Sequence, residues 1–433
     1  MQAKALENLD AEILLVDSRT SDPDAMLKKH IEQTKLVIIS TIIKYTSITI
    51  VKQIKDGFIT AEKIKEQADI PVIWTGLAAT IIPHHILKDK HSDFLIQGPS
   101  EKSLMQFLTS YFKGEDYTQT PNLGYKSGNK DILNKYEYHN AWESWGDFNP
   151  EILNMEKYID TNTLDYIATT GCINDCTFCT VPVIYKRKWK HNSINNITRH
   201  LSYYFNRFPS LNHIHFRDDN FFVNKTFVFN LINELKKKNL SITWSAQTSV
   251  NVLENYSFEE LQALKKAGCN NISIGIESGD PEILKHYTKS KTDLTKNKKI
   301  IRRIINSGIS TSVTSIISFP DNNQRDFNKT LKHLMKLKLL NPKISMYCTV
   351  FQPIPGTKAF NEIYAGKKVL NKSLFFNIWT TQKQKDKLKK FERLYFVFDD
   401  SRFHQNLPPI IGKKLKLINR FFSPFIKLRF HLG

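Results

Sequence analysis

Apolar residues in the first hundred positions come in short unbroken runs set apart by polar stretches. EILLVD (12–17), KLVIIS (35–40), PVIWTG (71–76) and DFLIQG (93–98) are rich in branched side chains and show no in–out alternation. Such runs predict parallel strands buried on both faces. The intervals between them are long enough for crossover helices, so the pattern predicts a small doubly wound α/β unit. After Lys113 the text KGEDYTQTPNLGYKSGNKD is polar and turn-rich, as a linker is, and a bridging segment containing WESWGDFNP follows.

From Leu164 the strand-then-helix rhythm resumes with a longer period. LDYIAT, HIHFRD, ITWSAQT, NISIGIE, STSVTSIISF and ISMYCTVF begin at residues 164, 213, 242, 271, 310 and 344. One intervening helix opens with Ser257-Phe-Glu-Glu260, a capping-box pattern. Six such units predict a partial β/α barrel whose chemistry sits at the C-terminal strand ends. The expected division is therefore an α/β unit over 1–115, a bridge over 116–160, the barrel over 161–365 and a helical extension over 366–433. In that extension Ile411, Leu415, Ile418, Phe422 and Phe425 form an apolar stripe interrupted at Pro424. Lys413, Lys414, Lys416 and Arg420 fall largely off it. Such a basic amphipathic helix either lies on an anionic membrane surface or packs its stripe on the barrel.

Composition adjusts this picture in two ways. Hydrophobic residues make up 41% and aromatic residues 12% of 433 positions, which excludes a disordered chain. Basic residues exceed acidic ones by 62 − 42 = 20, and 13 basic against 4 acidic residues fall after residue 380. The rest reads as a lysine-rich solvated surface, so nucleic-acid binding is not expected. No apolar run reaches the roughly 18 residues of a membrane span, and MQAKALENLD does not read as a signal peptide. Five cysteines, three of them clustered, make no disulfide framework and point to a reducing cytoplasm.

Those three are the candidate chemistry. CINDCTFCT places Cys172, Cys176 and Cys179 in a C-x3-C-x2-C spacing directly after a strand ending IATTG. Thiolates are soft ligands suited to zinc or to iron–sulfur clusters. A structural zinc site normally takes four ligands in two pairs, whereas Cys269 and Cys348 lie far off in strand-like text. Three thiolates on a four-iron cluster leave one iron open for chemistry; a zinc knuckle is the duller alternative.

Downstream come HIHFRDDNF, WSAQT, GIESGDPEIL, SFPDN and FQPIPGT, in that order and at strand ends. Together with the cysteine motif this resembles the radical S-adenosylmethionine (SAM) superfamily, in particular its class with an N-terminal cobalamin-binding domain. The resemblance implies that Cys172, Cys176 and Cys179 ligate a [4Fe-4S] cluster whose open iron chelates SAM. One electron then releases methionine and a 5′-deoxyadenosyl radical. Phe178 would lie against the adenine, or plug the loop. Asp218, Asp219 and Asn220 would hold the methionine amino end, and Glu277 with Ser278 the ribose hydroxyls, with Gly275 and Gly279 allowing close approach. Thr170, Ile173 and ISFPDN depart from the family's usual text around the cluster and the fifth strand.

TGLAAT falls where the family has a glycine-rich turn near cobalamin, which makes Gly76 a cofactor candidate. The D-x-H-x-x-G signature of a histidine lower ligand is absent. Asp89-Lys-His91-Ser-Asp-Phe94 lacks its glycine and lies in the wrong loop. Many members of the class bind cobalamin without that histidine. The implied activity is cobalamin-dependent methylation of an unactivated carbon, on a small-molecule or lipid-linked substrate. Its implied partner is an external electron donor such as flavodoxin or ferredoxin. Radical cyclisation, rearrangement or oxidation with a vestigial cobalamin domain is the enzymatic alternative; a non-catalytic iron–sulfur or zinc module is the alternative of another class. Trp244, Gln247, Tyr347 and Cys348 are candidates to face the substrate, each equally readable as core.

Overall fold

A computed structural model describes residues 12–364, apart from short stretches at 18–20, 42–46, 145–154, 160–161, 239, 241, 289–293, 317–318, 320–323, 350 and 352–353. The expected extension over 366–433, with its apolar stripe, lies outside the described residues.

Three of the four N-terminal runs become neighbouring parallel strands: β1 (Val37–Thr41), β2 (Val72–Thr75) and β3 (Phe94–Ile96). Consecutive residues of β2 point to opposite faces, and both faces are covered. Val72 and Trp74 pack with Ile54, Phe58 and Ile64 of the helix Ser47–Gln67, while Ile73 joins Leu104, Phe107 and Leu108 of the helix Glu101–Lys113. Two-sided burial is why these runs carry no polar alternation. Helices on both faces, as expected, therefore flank this sheet.

Two expectations are corrected here. EILLVD forms no strand; Leu14 and Leu15 are 48% and 46% exposed, and Asp17 accepts a hydrogen bond from the Tyr158 hydroxyl at 2.9 Å. Its apolar run never docks on a sheet edge, and without a paired neighbour a run has no reason to extend. The polar stretch after Lys113 is more than a linker. It contains β4 (Leu123–Ser127) and β5 (Lys130–Leu133), a hairpin that adds antiparallel to β3 and widens the sheet to five strands. The loop Gly128-Asn129 carries Gly128 at φ +57°, a conformation that suits a tight hairpin. Its strands are short and mixed in polarity, so the sequence pattern does not show them.

The second sheet is the expected partial barrel. It is built from β6 (Thr163–Tyr166), β9 (His213–Phe216), β10 (Thr243–Ser249), β11 (Cys269–Glu277), β12 (Ser310–Ile316) and β13 (Ser345–Thr349). All neighbouring pairs are parallel and in sequence order, with β6 and β13 as open edges. A small hairpin of β7 (Thr169–Thr170) and β8 (Lys190–His191) brackets the cysteine segment. One large core lies between the strands and the outer helices, with Ile214, Phe216, Trp244, Ile272, Val313 and Met346 all facing it. The capping box of Ser257 and Glu260 forms as expected: Ser257 Oγ accepts from the Glu260 amide at 3.2 Å and Glu260 Oε2 from the Ser257 amide at 2.7 Å.

The N-terminal sheet meets the barrel at its chemical end. Ile184, in the helix Val181–Tyr185 that follows the cysteines, is buried in the same cluster as Leu77, Ala78 and Ile81 of the helix Gly76–Ile81. The Tyr136 hydroxyl donates to the Ile184 carbonyl and fastens the bridge segment to the same place.

Candidate cluster site

The cysteine loop is held at its base by backbone geometry. Gly171 adopts φ +84°, and a Cβ there would stand 1.9 Å from the Lys188 carbonyl oxygen. Only glycine lets the two arms of the loop approach this closely. The acidic pair at the end of β9 secures the same base from below. Asp218, fully buried, accepts the Ala168 amide at 3.1 Å and also the Thr169 amide. Asp219 Oδ2 accepts the Gly171 amide at 2.8 Å. Further along, the Thr177 amide donates to the Tyr287 carbonyl at 2.7 Å, and the Ala359 amide to the Thr177 carbonyl at 2.9 Å. Segments far apart in sequence thus fix one ten-residue loop.

Inside it the three thiols lie near enough to influence one another. Asn220 Nδ2 lies 3.4 Å from Cys172 Sγ and 3.0 Å from Ser249 Oγ, while its Oδ1 accepts the Thr248 hydroxyl at 2.7 Å. The Asn174 amide reaches the same sulfur at 3.5 Å. Burial, and then the nearby Glu277 carboxylate and the other two thiols, push the Cys176 thiol well up. Burial likewise lifts Cys179 to about 12, with Asp219, Cys172 and Glu277 adding to it. For Cys172 burial also dominates, and the Asn220 and Asn174 donors pull the other way. As thiolates, the three cysteines would therefore repel one another and the Asp219 and Glu277 carboxylates in one half-buried place. A cationic iron centre relieves that repulsion and deprotonates the thiols on binding, so the donor set fits a cluster. Among the described residues no three His, Cys, Asp or Glu side chains are grouped as ligands of one metal ion.

Opposite the loop, β11 ends in a distortion. The register with β12 shifts between Gly275 and Glu277, and Glu277 sits at φ +58°, a left-handed conformation that costs a non-glycine residue about 1–2 kcal/mol. Its side chain folds back over Gly275, where a Cβ would meet Glu277 Oε1 at 2.5 Å. Burial raises the Glu277 carboxyl to about 7. Gly275 thus makes room for Glu277 rather than for a ligand. Ser278 is fully buried and points away, its hydroxyl 3.1 Å from Thr330 Oγ1. A Cβ on Gly279 would strike Thr330 Cα at 2.6 Å, so this glycine admits the helix Gln324–Lys338.

Phe178 packs edge-on against Phe319 with ring centroids 5.8 Å apart, beside Tyr287 and Phe351. Gly76 stands apart, on the N-terminal sheet. At φ +79° it lies against β1, where a Cβ would meet the Thr41 carbonyl oxygen at 2.2 Å, so the close approach it permits is to Thr41. The Asp89–Phe94 stretch precedes β3, at the opposite end of the sheet from Gly76; Asp89 is buried and its carbonyl accepts Lys126 Nζ at 2.7 Å.

Alternation along the barrel strands sorts the remaining candidates. Trp244 and Cys348 are buried in the outer core, as is Cys269. Gln247 and Tyr347 stand on the concave face with His213, His215 and Ser245, the alternate positions of their strands. Sequence reasoning missed the positioning roles of Gly171, Asn174, Ser249 and Thr330. Gly171 had a signal, a glycine adjoining a reactive cysteine; the others became visible only through contacts across the chain.

Residues 166–334 match the family model described as the radical SAM superfamily. Over that stretch the chain is similar to the radical SAM superfamily. An uncharacterized methyltransferase of Pyrococcus horikoshii is 24% identical over 388 residues, spanning 87% of this chain and 79% of that protein. The bacteriochlorophyllide d C-12(1)-methyltransferase of Chlorobaculum tepidum is 27% identical over 198 residues, or 46% of this chain and 42% of that enzyme. Among solved structures, the radical SAM methyltransferase TsrM of Kitasatospora setae, with tryptophan and a SAM analogue bound, superposes with a TM-score of 0.70. It shares 15% identity and covers 84% of this chain and 72% of TsrM. The cobalamin-dependent SAM radical enzyme OxsB, with aqua-cobalamin bound, gives 0.64 at 16% identity over 88% of this chain and 52% of OxsB. The shared fold runs through both units of the chain.

Proposed function

We propose that this radical SAM protein methylates an unactivated carbon of a hydrophilic substrate, using a [4Fe-4S] cluster, SAM and cobalamin. The observation that carries the reading is one loop at the end of an open parallel barrel that holds Cys172, Cys176 and Cys179, with the Asn220 amide on Cys172 and the Glu277 carboxyl nearby. When bound, the cluster supplies the electron that cleaves SAM to a radical, and cobalamin supplies the methyl group.

The chain's own residues then have separable tasks. The three thiolates hold the cluster, and the Asn220 and Asn174 donors steady Cys172. Asp218 and Asp219 hold the loop's backbone. Glu277 would accept ribose hydroxyls, as a carboxylate can, and Ser278 anchors its turn. Phe178 closes the side of the loop. A C–H bond without acidic character does not yield to a general base, which is why a radical is needed at such a mouth.

Substrate polarity follows from the concave face. Toward the C-terminal strand ends, Arg217 makes a two-point contact with Asp165 at 2.8 and 3.0 Å. His215 is held neutral, its pKa lowered to about 4 mainly by burial. Such a wall rewards hydrogen-bonding molecules and penalises an apolar chain.

The cobalamin assignment rests on the neighbours' fold and on a sheet edge that faces the barrel's chemical end. Residues 75–80 and 97–100 of that edge include no histidine, in keeping with binding without a lower protein ligand. Gly76 is committed to Thr41, which favours the second reading, a radical cyclase or oxidoreductase with a vestigial domain. Among the described residues no helix is long and apolar enough to cross a membrane. Protein expressed with the vitamin, reconstituted anaerobically and given SAM and a reductant, is expected to carry cobalamin and form 5′-deoxyadenosine. An intact cluster with 5′-deoxyadenosine but no cobalamin supports the second reading. A cluster that never cleaves SAM refutes both and leaves a binding module.

A further inference from the structure

Directly after the cluster loop the chain reads YKRKWKH, residues 185–191. The backbone bends there through two successive non-glycine residues in the left-handed region, Lys186 at φ +49° and Arg187 at φ +59°. Each costs about 1–2 kcal/mol. The bend sets Lys186, Arg187, Lys188 and Lys190 on the surface, all exposed. No ion pair ties them down among the described residues.

This basic bend is built onto the cluster loop. Arg187 Nε donates to the Ile173 carbonyl at 3.4 Å, the Lys188 carbonyl lies against Gly171, and Lys190 pairs with Thr170 in the β7–β8 hairpin. Two tyrosines of the bridge support the stems: Lys186 Nζ lies 4.2 Å from the Tyr136 ring centroid and Lys188 Nζ 4.9 Å from that of Tyr138. Beside the cations, Ile173, the neighbour of Cys172, is 43% exposed. The acid of the loop, Asp175, is already paired with Lys358 at 2.6 Å. An apolar contact ringed by unpaired cations at a cysteine loop matches a small acidic protein that must come close to the sulfurs and leave again.

We infer that this surface docks an acidic one-electron carrier protein of the flavodoxin or ferredoxin kind. The inference rests on the reading of Cys172, Cys176 and Cys179 as cluster ligands. One electron leaves the reduced carrier and enters the oxidised cluster; no bond forms or breaks and no proton moves. The strain of the bend is explained by its placing like charges together where the partner's acids neutralise them.

The test uses the anaerobically reconstituted full chain, a reduced bacterial flavodoxin as probe and stopped-flow bleaching of the cluster's visible absorption. The double variant Lys186→Glu, Lys190→Glu is expected to slow flavodoxin-driven reduction about tenfold or more at low ionic strength and to flatten its salt dependence. Photoreduced deazaflavin, which needs no docking, is expected to reduce this variant and the unmodified protein equally. A second double variant, Lys298→Glu, Lys299→Glu, makes the same charge change on the remote helix Leu294–Asn306 and is expected to leave the flavodoxin rate nearly unchanged. A wild-type rate for the first variant overturns the inference. So does equal slowing by the remote variant, which would make the effect one of net charge, or equal slowing with deazaflavin, which would place it in the cluster. Absence of iron and sulfide from the unmodified protein would instead overturn the cluster reading beneath it.

Discussion

Gly171→Ala separates two effects that a glycine at positive φ usually mixes. A Cβ at this position would lie 1.9 Å from the Lys188 carbonyl oxygen, where ordinary contact begins near 3.4 Å, so the loop's arms must part by 3.4 − 1.9 = 1.5 Å. Gly114 provides the control. At φ +69° it caps the helix Glu101–Lys113, and a Cβ there meets nothing within 4 Å. Gly114→Ala should cost only the left-handed penalty, about 1–2 kcal/mol. Gly171→Ala adds a backbone shift of overpacking size, about 1–3 kcal/mol, for a total of roughly 2–5 kcal/mol. The shift also breaks the Gly171 amide bond to Asp219 and moves Cys172 away from its partners. Urea unfolding of both variants, with iron and sulfide counted per chain after anaerobic reconstitution, measures the two terms. Gly114→Ala should load as the unmodified protein does, and Gly171→Ala should lose most of its iron. Equal stability of the two variants with full iron in Gly171→Ala would refute the claim that backbone proximity sets the cysteine geometry.

Glu277 should make the stability of the cluster-free protein fall with pH. Its folded pKa of about 7 lies above the ordinary 4.5, so between those values the folded chain holds a proton that the unfolded chain has released. Stability should drop by about 3 kcal/mol from pH 4.5 to 7 and then level off, and Glu277→Gln should remove that slope in denaturant titrations at pH 5 and 8. Asn220→Ala removes an amide donor 3.4 Å from Cys172 Sγ. Hydrogen bonds to cluster sulfurs raise the potential, so EPR-monitored redox titration should show a more negative midpoint, tens of millivolts being the scale at which the equilibrium changes about tenfold. Replacing Cys172, Cys176 or Cys179 by alanine should abolish the cluster's absorption. Cys269→Ala and Cys348→Ala, in the outer core, should lower stability by about 1–2 kcal/mol and leave iron content unchanged.

Much of the architecture follows from local text. Strands buried on both faces write themselves as short apolar runs, and so β1, β2 and β3 are found near their observed places, while the six barrel strands follow from the repeated strand-then-helix rhythm. The three cysteines and Glu277 likewise stand out, since ligation and a carboxyl at a strand end depend on residue type and short spacing. What local text lacks is the neighbour. EILLVD has strand composition but no edge to join, whereas the β4–β5 hairpin has poor composition and the free edge of β3. The same limit governs the site. Only the folded chain shows that Asp218 and Asp219 grip backbone amides, that Ser278 turns to Thr330, that Gly76 meets Thr41, and that Asn220 reaches Cys172. Each is a contact between residues tens of positions apart, and such contacts depend on strand order and packing, which no run of neighbouring residues encodes.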